Sequence, residues 1–265
     1  MKVFIIGAGG RLGSRILAAS VRAGHDTTAF VRSSQRLRAA IGDELFSRVA
    51  VVEGDALDSE QLKAAMQGHE VAVQTAGYIG DTPEEAQRLH SLVRSTAEAA
   101  NEALVGPRRF WALGGAGALD LPGRAGMMLV DIPGFPMPKY RIHKTNFAYL
   151  SQEAFASLDW SFACPGAMVD KPQAAEQQPG VSTVPAAHVS VDVLPVQLPA
   201  WAALLPNAML LPAIAAIKGQ LVGPSYEEVA EAIVAHLAGN GPLKHHRVGF
   251  YAAQGATGSG SGQQG

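Results

Sequence analysis

The stretch Phe4–Ile16, FIIGAGGRLGSRI, decides how the chain is read. An apolar run, Val3-Phe4-Ile5-Ile6, stops at Gly7, and glycines recur at 10 and 13. The run reads as a strand over Lys2–Ile6. Arg11–Ala23 reads as a helix with Leu12, Ile16, Leu17 and Ala19 or Ser20 on its inner face. A turn that carries a strand into a helix leaves the first amides of that helix unpaired at the sheet edge. Together with the positive end of the helix dipole they form an anion site. Gly7 permits the tight turn, Gly10 lets a pyrophosphate approach the backbone, and Gly13 lets the helix lie close on the strand. Residues Gly7, Gly9, Gly10, Arg11, Leu12 and Gly13 are therefore expected to hold a dinucleotide.

The same rhythm continues downstream. Strands are expected at Thr27–Val31, Val49–Glu53, Val71–Ala76, Arg109–Leu113 and Asp159–Cys164. Helices are expected at Ser59–Gln67, from Pro83 through Leu104, and at Ile142–Ser157, with a glycine- and proline-rich loop before the last. This alternation predicts an α/β protein: a Rossmann-type, doubly wound parallel sheet with helices on both faces. After Cys164 the rhythm breaks. Short strands are expected near Val181–Val184, His188–Val193 and Arg247–Tyr251, and a helix over Tyr226–Leu237 opens with the capping box Ser225/Glu228. The expected organisation is a nucleotide-binding domain over 1–164, a small substrate-covering region over 165–251 packed on it, and a disordered low-complexity tail over 252–265.

Composition narrows the function. With 265 residues, 48% of them hydrophobic, the chain can bury a full core. A net charge of −2 without long basic runs argues against nucleic acid as a partner. A single cysteine, Cys164, rules out an intrachain disulfide and fits a reducing cytoplasm, as does a start that runs from Met1-Lys2 straight into a strand. From Val193 to Ile217 no residue is charged, a length that could span a bilayer. Pro195, Pro199, Pro206 and Pro212 interrupt it, so the expectation is burial in a core, in a lid or against a second copy in a homodimer, without membrane insertion.

The glycine spacing, G-x-x-G-x-x-G, resembles that of atypical and extended short-chain dehydrogenase/reductases, especially NmrA-like and NAD(P)H-binding members. So do FVRSS after the second strand, VVEGDALD, TAG, WALGGAGALDLPG, LDWSFACPGAM and SYEEVAEAIVAHL. The likeness covers residues 1–170 and 222–251. It implies that Asp55, beside Ala56, bonds the adenine amino group and that Thr75, Ala76 and Gly77 line the nucleotide cleft. A turn or cap role for Asp55 stands beside that reading.

At the end of the second strand, where an acid would read a free ribose 2′-hydroxyl, stands Arg32, followed by Ser33, Ser34 and Arg36. A guanidinium suits a 2′-phosphate, so NADP(H) is expected over NAD(H). The other reading makes Arg32 and Arg36 solvated residues at a helix start.

For chemistry, Tyr140 and Lys144 form the Y-x-x-x-K that serves as proton donor and ribose-binding cation in the dehydrogenase family. The family's carbonyl-polarising serine has no counterpart: Gly114, Gly115 and Gly117 stand there, and no Ser or Thr occurs between Trp111 and Tyr140. Gly114, Lys144 and Pro165 would border the nicotinamide, with Cys164–Ala167 at the carboxyl end of its strand. His143 could shuttle protons but reads rather as a surface or capping residue, Cys164 reads as a small core residue, and no metal site is expected at His245 and His246. Two functions remain open. One is an oxidoreductase reducing a small carbonyl, quinone or flavin-like acceptor. The other is a non-catalytic NADP(H) redox sensor of the NmrA-like kind.

Overall fold

The computed structural model describes residues 1–77, 82–135, 138–170, 186–216 and 222–252. The strands are β1 (Lys2–Ile6), β2 (Asp26–Val31), β3 (Ala50–Glu53), β4 (Val71–Gln74), β5 (Arg109–Leu113), β6 (Asp120–Leu121), β7 (Arg124–Met128), β8 (Asp159–Cys164), β9 (Ala167–Val169), β10 (His188–Val191), β11 (Val222–Ser225) and β12 (His246–Tyr251). The helices are α1 (Arg11–Arg22), α2 (Ser34–Phe46), α3 (Ser59–Met66), α4 (Pro83–Ala103), α5 (Ile142–Leu150), α6 (Leu211–Ala216) and α7 (Tyr226–Ala235).

Eight strands form one sheet in the order β10-β12-β8-β5-β4-β1-β2-β3. All neighbours pair parallel except β10, which runs antiparallel along β12 at the edge. The chain winds from β1 outward to β3, then returns to place β4 on the other side of β1. That reversal opens a crevice at the carboxyl ends of β1 and β4.

Strand side chains alternate between two cores. Val3, Ile5, Val71, Val73 and Trp111 pack with α1 and α7. Phe4, Ile6, Ala72, Phe110 and Phe162 pack with α3 and α4. Because parallel strands are covered on both faces, they read as unbroken apolar runs.

One ion pair lies across the middle of the sheet. Arg109 on β5 and Asp159 on β8 are 2% and 3% exposed and meet at 2.8 Å. Arg109 also donates to Ser161 Oγ at 2.7 Å, its guanidinium lies 4.6 Å from the Trp111 ring centre, and Asp159 Oδ2 accepts from the Asn240 backbone.

The departures from expectation have local causes. Helix α2 was expected only as a helix start at Arg32 and Arg36 in one of two readings, without an extent, because Leu37 is its one buried residue and it carries no apolar stripe. The helix expected through Ser157 ends at Leu150, where the Ser151 hydroxyl turns back to bond Phe147 O at 2.9 Å. The loop after β5 contains the hairpin β6/β7. The strand expected at Val181–Val184 and the tail beyond 252 lie outside the described residues.

The uncharged stretch contributes short 3-10 turns and α6, and packs through Leu194, Ala202, Leu210, Ala213 and Ile214 against the core beside β6. Arg124 of β7 fixes it by donating to the carbonyls of Ala202 (3.0 Å) and Leu205 (2.7 Å). Trp201, Leu204 and Met209 remain exposed. Among the described residues no helix is long and apolar enough to cross a membrane.

Candidate dinucleotide site

The crevice at the reversal is a cleft of about 520 Å³. Its floor is Gly7, Gly9 and Gly10; one wall is Arg32, Ser33 and Arg36; the other holds Asp55, Ala56, Thr75, Ala76 and Gly77. Nine of the residues expected to bind the cofactor therefore converge: Gly7, Gly9, Gly10, Arg32, Asp55, Ala56, Thr75, Ala76 and Gly77. From α4 come Glu85, Arg88, Leu89 and Leu92, which the sequence did not single out. Their spacing, i, i+3, i+4, i+7, is the signal of a shared helix face.

Gly7 and Gly13 are placed as the spacing suggested. Gly7 has φ +82° and passes so close to β4 that a Cβ would lie 2.6 Å from Ala76 N. A Cβ on Gly13 would lie 2.3 Å from Gly7 O, so α1 is seated directly on the turn. Thr75 locks the arrangement by donating its hydroxyl to Ile6 O at 2.9 Å. No side chain caps the start of α1 and no acid lies in its first turn, so no side chain competes with an anion for its first amides. That cradle fits the pyrophosphate of a dinucleotide.

On the Arg32 wall, Ser33 Oγ caps α2 by accepting from Arg36 N at 3.3 Å. Among the described residues neither Arg32 nor Arg36 has a carboxylate partner. Asp55 does take the turn role: its Oδ1 accepts from Leu57 N at 3.1 Å while the residue borders the cleft.

Arg11, Leu12, Gly13, Gly114, Pro165, Tyr140 and Lys144 do not line the cleft. Arg11 turns outward, 5.9 Å from the Tyr226 ring centre and 3.9 Å from Asp170. Leu12 is core. Gly114 N donates to Ala163 O (2.7 Å) and Ala116 N to Pro165 O (2.9 Å), zipping the loops after β5 and β8 together.

Tyr140 sits in the 3-10 turn Pro138–Arg141 that precedes α5, half-buried and near Gly117, whereas Lys144 is on α5 itself. The Lys144 ammonium is 2.6 Å from Asp131 Oδ1.

His143 is not the surface residue the sequence suggested. It is 2% exposed, packed between Tyr140 and Phe162. Burial pulls its pKa from 6.5 down to about 4, so the ring is neutral at pH 7. Cys164 is the expected core thiol, its pKa pushed up by burial. No group of three potential metal ligands occurs among the described residues. His245 bonds Leu158 O at 2.8 Å, and His246 meets Asp192 at 2.5 Å.

One charged cluster had no signal in the sequence, because its members are far apart along the chain. Arg247 holds Asp120 at 2.7 Å and Asp192 at 3.2 Å, joining β12 to the hairpin and to the segment after β10.

A family model described as NAD(P)H-binding matches residues 7–191. The YwnB protein of Bacillus subtilis (strain 168) is 28% identical over 176 residues, covering 64% of this chain and 74% of that protein. A candidate NADH-flavin reductase from Streptococcus pneumoniae TIGR4 superposes with a TM-score of 0.67 at 19% identity, covering 96% of this chain and 100% of that one. An anaerobillin reductase from Escherichia coli O157:H7 gives 0.58 at 17% identity, covering 96% and 98%. At such identities the two structures speak for the fold.

Proposed function

The chain belongs to the NAD(P)H-binding family, and from that membership we propose an NADP(H)-dependent reductase of a small carbonyl, quinone or flavin-like acceptor. The observation that carries the cofactor choice is the wall of Arg32 and Arg36, two arginines that line the cleft without carboxylate partners among the described residues. A 2′-phosphate dianion supplies what they lack. Two of the structures that the fold resembles bear the name of reductase, which supports the reaction type.

Bound NADPH would supply a hydride. The glycine turn and the α1 amides hold the pyrophosphate, and Arg32 and Arg36 hold the 2′-phosphate. Tyr140 protonates the acceptor oxygen, and Lys144 turns from Asp131 to the nicotinamide ribose. A cytoplasmic enzyme acting on a small-molecule substrate is the setting we assign to it.

The sensor reading keeps two specific supports. Lys144 is engaged by Asp131, and the loop after β5 has no serine. Titration with NADPH and NADH, followed by NADPH oxidation with menadione, flavin mononucleotide and simple aldehydes, tests both. Tight NADPH binding with turnover supports the reductase. Tight binding without turnover on any acceptor favours the sensor, and equal affinity for the two cofactors removes the NADP assignment.

A further inference from the structure

We propose that His143 replaces the missing serine as the hydrogen-bond donor to the acceptor's oxygen, an inference that rests on the reductase reading. A Cβ built on Gly115 would fall 2.8 Å from His143 Nε2 and 2.9 Å from Cδ2. The imidazole therefore occupies the volume that a side chain at 115 would fill. In this loop a glycine and a histidine from α5 take the space of one larger loop residue.

The environment suits a neutral donor. Of the ring nitrogens, Nδ1 is sealed from solvent with no partner. One helical turn on, Asn146 is fully buried, its Oδ1 is 2.8 Å from His90 Nδ1, and its Nδ2 is likewise sealed without a partner. The tautomer with its proton on Nε2 places the donor beside Gly115 and leaves the sealed Nδ1 a bare lone pair. The depressed pKa keeps that proton a hydrogen-bond donor without net charge, so it polarises an oxygen without competing with Tyr140 for the proton transfer. In the reaction the hydride goes to the electrophilic carbon of the acceptor, or its flavin equivalent. The proton comes from Tyr140, and His143 ends the turnover with the proton it began with.

The test combines a space exchange with a spectroscopic readout. Gly115→Ser should clash with the ring and lower Tm by roughly 5 °C. His143→Ala should lower kcat about tenfold or more with NADPH affinity unchanged. Combining the two should recover both stability and part of kcat, because the serine then has room. Ring-nitrogen NMR of the wild-type protein should show His143 as the neutral Nε2–H tautomer at pH 6–8. Menadione added to the NADP⁺ complex, where no turnover is possible, should shift its Nε2 resonance. A Gly115→Ser protein as stable as wild type, an Nδ1–H tautomer, or a His143→Ala enzyme with full kcat would overturn the proposal. If wild type binds NADPH but reduces no acceptor, the reductase reading fails by itself. The ring resonance then decides: a shift with menadione keeps His143 as an oxygen-binding donor, and no shift overturns that too.

Discussion

Lys144 Nζ lies 2.6 Å from Asp131 Oδ1, so the cation of the Tyr-Lys pair is held by the loop that precedes it. With the Lys144 side chain 49% exposed, the pair contributes little to stability, about 0–1 kcal/mol. Asp131→Asn should leave NADPH affinity equal or higher, while Lys144→Ala should weaken it about tenfold. Titration of both variants checks this, and a Lys144→Ala protein with wild-type affinity would make the pair merely a tether.

Arg32→Ala should cost NADPH about tenfold or more in affinity, since one charge-assisted bond to a phosphate contributes about 1.5–3 kcal/mol. NADH affinity should not change. Equal losses for the two cofactors would place Arg32 against some other part of the nucleotide.

Gly13→Ala sets a methyl 2.3 Å from the Gly7 carbonyl oxygen, a backbone atom that cannot swing aside. The expected cost is about 1–3 kcal/mol of stability together with loss of nucleotide binding. Chemical denaturation and cofactor titration measure the two separately.

The glycine turn was legible because its demands are local: strand, φ +82° and helix contact lie within a dozen residues. The central strands were legible because burial on both faces leaves apolar runs. Helix α2 was legible only as a helix start, since an exposed helix needs no stripe to show its extent. The place of His143 was not legible, since its burial depends on α5 packing under a loop some thirty residues earlier in the chain. The Asp120–Arg247–Asp192 cluster is likewise made by the third dimension alone.

Asp159→Ala leaves the Arg109 guanidinium buried without its carboxylate. The expected loss is about 3–5 kcal/mol, readable as a shift of the urea midpoint. A loss under 1 kcal/mol would show that Ser161 and Trp111 suffice.

Acid should weaken the fold through His143. Its folded pKa, about 4, lies below the ordinary 6.5, so the unfolded chain binds the proton first. Stability is fully present above about pH 6.5 and is lost as pH falls toward 4, by about 3 kcal/mol in all. Urea unfolding of wild type and His143→Leu between pH 7.5 and 4.5 should give a slope in the first that flattens in the second. Parallel slopes would assign the acid sensitivity to other groups.

The ion pair across the sheet also dictates a timetable for synthesis. Strands β3-β2-β1-β4-β5 are contiguous in space and all precede β8 in the chain. Arg109, on the last of them, meets its carboxylate only when Asp159 follows fifty residues later. Until then Arg109 is a cation that is costly to dehydrate, so a half-sheet ending at β5 is expected to be open to protease in limited proteolysis of nascent chains. The arrival of β8 supplies the counter-charge and closes that edge. The backbone of Asn240, eighty-one residues beyond Asp159, takes up the second carboxylate oxygen, so the seal also waits for this later part of the chain.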